Sequence, residues 1–284
     1  MSAYHLINMK MSPTTETVSD KTNFADRVLS HVSTSYRKAH SPSLEGAEFD
    51  TLCPVLTSMT QTFSDLLIPV CEYPVLIQKV LPRNSSAINL TQQISKATDR
   101  LCEMNQHLVR LCQGSDEIPM EVELDALARD VLDDLIQQGK AAASLQIVLE
   151  TDGQSTRLQG PQDALYHLVR DMCIRAFASM DEGGALTVRV GTVTIHTDGV
   201  PHRLGVPAQE CLCLQFQDTS SEIHADSQTN RFAPFVLTSP GDEYGLRLSS
   251  VYRTMLQLNG IILYKSDESA GADYILFFPK ATSP

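Results

Sequence analysis

From Phe49 onward apolar residues recur every three or four positions, at Leu52, Val55, Leu56, Met59, Phe63, Leu66, Leu67 and Val70. This spacing predicts a long helix with one apolar face. Pro54 lies near its start, and Pro69, which has no backbone N–H, is expected to bend the helix or mark an irregular turn. After a break around Pro82-Arg83-Asn84-Ser85-Ser86, the residues Leu90, Ile94, Ala97, Leu101, Met104, Leu108 and Leu111 alternate spacings of four and three, a heptad seam. Two antiparallel helices carrying this much apolar surface are expected to pair with a second copy into a four-helix bundle. A helical core closed within one chain is the competing reading.

The pattern changes further on. Ile118 to Leu124 alternates like a strand, and Asp125 is placed to cap a helix with inner face Leu127, Val131 and Leu135. Leu145 to Leu149 reads as a strand. Gly160-Pro161 opens a helix with proline at its first position and Leu165, Leu168, Met172, Ala176 and Met180 on the buried stripe; Gly183-Gly184 ends it. Strands are expected at Ala185 to His196, Glu210 to Gln217, Ile261 to Lys265 and Tyr274 to Phe278, with a helix from about Gly245 to Leu258. The reading is α+β, with helices layered on one face of a mixed sheet. Residues 1–45 are rich in Ser and Thr with a short helical pattern from Phe24 to Tyr36, and are read as a mobile leader. Residues 46–113 are then the helical hairpin and 114–284 a second domain.

Composition narrows the function. In 284 residues, 42% apolar and 20% charged positions suffice for buried cores, and the net charge is −12. That sign repels nucleic-acid backbones and anionic bilayers, and no basic patch offsets it, so nucleic-acid binding is not expected. No run reaches the length of a membrane span and the N-terminus has no apolar signal core, which points to a cytoplasmic protein. The seven cysteines lie in apolar patterns and read as reduced thiols. Cys211 and Cys213 share one strand face, but with no further ligands nearby they read as core rather than metal site.

Several stretches carry a family resemblance. Asp181-Glu182-Gly183-Gly184-Ala185-Leu186-Thr187-Val188, Phe232-Ala233-Pro234-Phe235, Gly245-Leu246-Arg247-Leu248-Ser249, and the run from Asn259-Gly260-Ile261-Ile262 to Phe277-Phe278-Pro279 come in order after the helical hairpin. From about Phe49 to Pro279 the chain resembles the transmitter region of two-component sensor histidine kinases, a dimerising hairpin with a phospho-accepting His followed by a GHKL-type ATPase domain. The resemblance implies ATP and magnesium as cofactors, and a receiver domain as partner.

The positions that carry chemistry depart from the family. Where helix one of the similar subfamily has a motif close to His-Asp-Phe-Asn-Asn-Leu-Leu, this chain has Gln61-Thr62-Phe63-Ser64-Asp65-Leu66-Leu67. An amide has no nucleophilic lone pair to form a phosphoramidate, so Gln61 occupies the acceptor position without its chemistry. The two Asn positions of the nucleotide pocket are Asp171 and Arg175, and a guanidinium cannot ligate magnesium. The first glycine box reads Asp218-Thr219-Ser220-Ser221-Glu222, keeping the Asp that accepts from the adenine amino group. The second keeps only Gly245, flanked by Glu243 and Arg247. Glu222 and Glu243 add negative charge on the phosphate side, which Arg175 or Arg247 would offset by binding phosphate directly.

Asp218, Gly245, Asp171 and Arg175 are thus expected to line a vestigial nucleotide pocket, with no metal and at most weak ATP binding. His31, His107, His167 and His196 read as surface, boundary or core residues, and no nucleophile elbow supports a hydrolase. The function expected is a histidine-kinase-like pseudokinase. It forms a homodimer and binds a response-regulator receiver domain or another histidine kinase, the partner resting on fold analogy. Two alternatives remain: a nucleotide-binding GHKL kinase acting on another protein, which retained Asp218 favours, and a phosphotransferase-like relay protein, which needs a His on helix one.

Overall fold

The computed structural model describes residues 9–11, 18–33, 35–41, 44, 47–82, 86–113, 118–180, 183–220, 231–234, 245–267 and 271–280. They form two compact units, Pro42–Gly114 and a second made of Met1–Ser41 with Ser115–Pro284.

The second unit is built on a seven-stranded mixed sheet. Its strands are β1 (Met9–Met11), β2 (Arg37–Lys38), β4 (Leu145–Thr151), β6 (Gly184–Thr194), β7 (Glu210–Asp218), β8 (Ile261–Asp267) and β9 (Gly271–Pro279). The spatial order is β1-β4-β6-β7-β9-β8-β2. The pairs β1–β4 and β4–β6 are parallel and every other neighbouring pair is antiparallel. Strands β3 (Met120–Glu123) and β5 (Arg157–Gly160) make a separate antiparallel ribbon. Helices α4 (Leu124–Gln137), α5 (Gln162–Ala178), the single-turn α6 (Val200–Arg203) and α7 (Arg247–Gln257) complete the C-terminal part.

The N-terminal segment corrects the expectation of a leader outside the fold. Helix α1 (Val18–His31) and β2 belong to this unit: Phe24, Val28, Val32 and Tyr36 are buried in one cluster with Val193, Cys211, Cys213, Leu263, Ile275 and Phe277. Strand alternation puts these sheet residues on the face opposite Leu212, Leu214, Phe216, Tyr274 and Leu276. The helices therefore lie on both faces, not on one. The misreading has a physical cause. The short pattern from Phe24 to Tyr36 marks a helix but not what covers it: Phe24 and Val28 lie in α1, while Val32 and Tyr36 follow its end and are buried beside them against the sheet. The same cluster absorbs Cys211 and Cys213 as buried core. Among the described residues no group of His, Cys, Asp or Glu side chains is arranged to hold a metal ion.

Two helix starts also differ from expectation. Asp125 lies in the first turn of α4, after Glu123 at the cap position. The cap comes instead from Thr156, whose hydroxyl accepts the Asp125 N–H at 3.2 Å and donates to Asp125 Oδ1 at 2.7 Å. Pro161 is the residue before α5 rather than its first.

The hairpin unit consists of α2 (Ala47–Val80) and α3 (Ala87–Gln113). Helix α2 runs through Pro54, Pro69 and Pro74 as one element, so Pro69 does not end it. The buried positions between the two helices include Thr60, Thr91, Thr98 and Asn105, and Asn105 Nδ2 donates to the Thr60 carbonyl at 3.2 Å and to Ser64 Oγ at 2.8 Å. His107, expected at a boundary, is buried with its Nδ1 3.1 Å from Arg110 Nη2. The apolar stripe lies on the outside: Leu90 is 61%, Ile94 48% and Leu101 41% exposed in the single chain. No helix among the described residues is long and apolar enough to cross a membrane.

Candidate functional site

Asp218 ends β7, and alternation turns it to the helix side of the sheet, where α5 presents Asp171 and Arg175 one turn apart. The Asp218 carboxylate is 1% exposed and four donors surround it. Oδ1 accepts from the Ser220 N–H at 3.1 Å, from the Ser220 hydroxyl and from the Ala272 N–H at 3.1 Å; Oδ2 accepts from Arg175 Nη1 at 2.9 Å. Ser220, one of the residues standing in for a glycine, thus supplies two of the donors.

The Arg175 guanidinium also lies 4.3 Å from the centroid of the Tyr274 ring. Tyr274 in turn stacks on Tyr264 with centroids 6.1 Å apart and accepts from Arg231 Nη1 at 2.7 Å. Phe232, from the expected Phe box, packs edge-on to Tyr264 and tilted against Tyr252 of α7. The Tyr264 phenol is pushed up, first by burial, and partly drawn back by Arg231 and Arg37.

A second ion pair fills the other side of this cluster. Asp171 Oδ1 is 3.4 Å from Arg247 Nη1, with side-chain exposures of 2% and 11%. Gly245 is buried with φ +60°, a left-handed conformation that suits glycine, and its carbonyl accepts from Ser249 Oγ as α7 begins. The structure therefore brings Asp218, Arg175, Asp171 and, through Arg247, the Gly245 loop together. Gln61 lies on the exposed side of α2. Glu222, Glu243, Phe235, Asp181 and Glu182 lie outside the described residues.

Neither arginine stands free to face a phosphate, since each has a carboxylate partner. Sequence reasoning missed Tyr274, Arg231 and the Gly271–Ala272 backbone. Gly271 has φ +83°, and a Cβ there would overlap the Asp218 carbonyl, which is why the Ala272 N–H reaches the carboxylate. Alternation along β9 does put Tyr274 on the face of Asp218, but nothing in the sequence marks an aromatic as the seat of a guanidinium.

The set does not fit a nucleotide with its metal. The Asp218 carboxylate is enclosed by four protein donors, and the Arg175 guanidinium beside it is a cation that cannot ligate a metal ion.

No protein-family model matches the chain. Over 111 residues, 39% of its length, it is 29% identical to the sensor kinase CckA of Brucella abortus (strain 2308), a stretch that spans 12% of that protein. The full-length ShkA crystal structure in complex with AMPPNP superposes with a TM-score of 0.63 at 16% identity, covering 81% of this chain and 46% of ShkA. By sequence likeness and by architecture, this chain has the fold of the sensor histidine kinase transmitter region, a helical hairpin with a GHKL-type ATPase domain.

Proposed function

We propose that this protein is a histidine-kinase-like component of two-component signalling that has lost autophosphorylation and works as a dimeric partner-binding module. Residues 46–113 are the dimerising hairpin, and 114–284 with the N-terminal segment are the ATPase-like domain. A receiver domain or a competent histidine kinase docks on the helical bundle. The observation that carries the reading is the Arg175–Asp218 ion pair at 2.9 Å: the pocket's base-recognising carboxylate is held by the chain's own cation. Gln61 adds the absence of an acceptor nucleophile.

The test is incubation with labelled ATP and magnesium, followed by acid-labile phosphate counting. Wild type is expected to take up none, and Gln61→His is expected to take up none either, because the acceptor alone does not rebuild the pocket. Robust labelling of Gln61→His overturns the reading.

A second reading has one specific support. ShkA holds AMPPNP, and Asp218 is retained here, so ATP enters weakly by displacing Arg175 from the carboxylate. Under that reading Asp171→Asn with Arg175→Asn raises nucleotide affinity in calorimetry, because both ion pairs that fill the pocket are gone. Tight, magnesium-dependent binding by wild type would favour an active GHKL kinase instead.

A further inference from the structure

In the middle of the hairpin, Cys71 of α2 and Cys102 of α3 place their sulfur atoms 2.9 Å apart, 31 residues apart in sequence. Both thiols are partly exposed, whereas Cys112, Cys173, Cys211 and Cys213 are buried away from any soluble oxidant. A disulfide holds its sulfurs about 2.05 Å apart, so bond formation needs under an ångström of closure. Cys71 lies between Pro69 and Pro74, each of which removes an i→i−4 backbone hydrogen bond, so this stretch of α2 yields more readily than a regular helix. Among the described residues no cluster of ligands converges there to make the pair a metal site.

We propose that Cys71 and Cys102 are a redox modification site, oxidised by a low-molecular-weight disulfide such as glutathione disulfide to a covalent clamp between the two helices of the hairpin.

The chemistry balances without any other reagent. The Cys71 thiolate attacks one sulfur of glutathione disulfide, forming a mixed disulfide and releasing one glutathione thiolate. The Cys102 sulfur, giving up its proton, then attacks the Cys71 sulfur, and the second glutathione leaves. Two protein thiols lose two electrons, one glutathione disulfide becomes two glutathiones, and the two thiol protons end on them. Burial first, and then Cys71, push the Cys102 thiol up to about 11, so formation of the link is expected to quicken as pH rises. The clamp acts on the unit that carries the exposed stripe of Leu90, Ile94 and Leu101, and fixes how α2 and α3 slide past each other.

The experiment uses the full chain incubated with glutathione disulfide, alkylated and weighed intact. Wild type is expected to lose two hydrogens, about 2 Da, and two alkylation sites, with a peptide pair linking Cys71 to Cys102. Its unfolding temperature rises on oxidation and falls back with reductant. Cys71→Ser and Cys102→Ser each abolish the link and the shift, while Cys53→Ser keeps both. The proposal is overturned by any of three results: both thiols still alkylated, stable glutathione adducts on the pair without a link, or cross-linking of Cys71 between two chains.

Discussion

A carboxylate buried as deeply as Asp218 loses its hydration, and only well-placed donors offset that loss. Removing Arg175 leaves the charge enclosed with the two Ser220 donors and the Ala272 amide alone. Arg175→Met is therefore expected to cost about 3–5 kcal/mol in urea unfolding, the scale for breaking a buried pair by one partner. Adding Asp218→Asn to that variant removes the stranded charge and is expected to recover much of the loss. If the double variant is as unstable as the single, the pair is not the source of the effect. Gly191 makes a second case at this scale. A Cβ there would run into the Phe24 ring and the Asp152 carboxyl, so Gly191→Ala is expected to destabilise by about 1–3 kcal/mol through overpacking. Phe24→Ala opens that space, so the two substitutions together are expected to cost less than their sum.

At the scale of elements, the long periodic helices and most core strands were legible because each repeats one apolar spacing over many residues. Leu90 to Leu111 fixes α3, and Glu210 to Gln217 and Tyr274 to Phe278 fall within β7 and β9. What escaped were elements defined by their partners. Strand β2 is two residues long and exists by pairing with Tyr264 and Leu263, and the helical pattern read from Phe24 to Tyr36 shows neither that α1 begins at Val18 nor that it packs on the sheet. The candidate site was legible as a set of departures, Gln61, Asp171, Arg175 and Ser220, but not as a set of pairings, since ion pairs between residues 43 and 76 positions apart leave no local pattern. The N-terminal segment gives a testable pH dependence. Tyr36 donates to Asp273 Oδ2, which also accepts from Gln215 Nε2 at 2.8 Å. Burial first, and Asp273 second, raise the Tyr36 phenol far above its ordinary value. Because the folded value lies above the unfolded one, its contribution is complete below about pH 10 and is lost as pH rises beyond it. Urea stability of wild type is therefore expected to fall above about pH 10, and Tyr36→Phe to fall less steeply after an initial loss of about 1.5–3 kcal/mol. Parallel curves for the two proteins would show that Tyr36 does not carry the dependence.

For the whole molecule, the distribution of side chains in the hairpin sets the association state. Within one chain, α2 and α3 meet through Thr60, Thr91, Thr98, Asn105 and the two thiols, while Leu52, Val55, Phe63, Leu66, Leu90, Ile94 and Leu101 stay exposed. A hairpin that turned its whole apolar seam inward would need no second copy; this one turns Thr60, Thr91, Thr98 and Asn105 inward, buries Leu111 at one end of the seam, and leaves Leu90, Ile94 and Leu101 in water. Exposed stripes of this kind are costly unless covered, and a second hairpin presents the matching seam by two-fold symmetry. The chain is accordingly expected to run as a dimer in light scattering at micromolar concentration. Ile94→Asp with Leu101→Asp places two carboxylates on residues that are already 48% and 41% exposed in the single chain, so the monomer fold tolerates them while a buried dimer seam does not. A monomer that keeps the helical circular dichroism of wild type is the expected outcome. A variant of unchanged dimeric mass would place the contact elsewhere, and the proposed partner-binding bundle would fall with it.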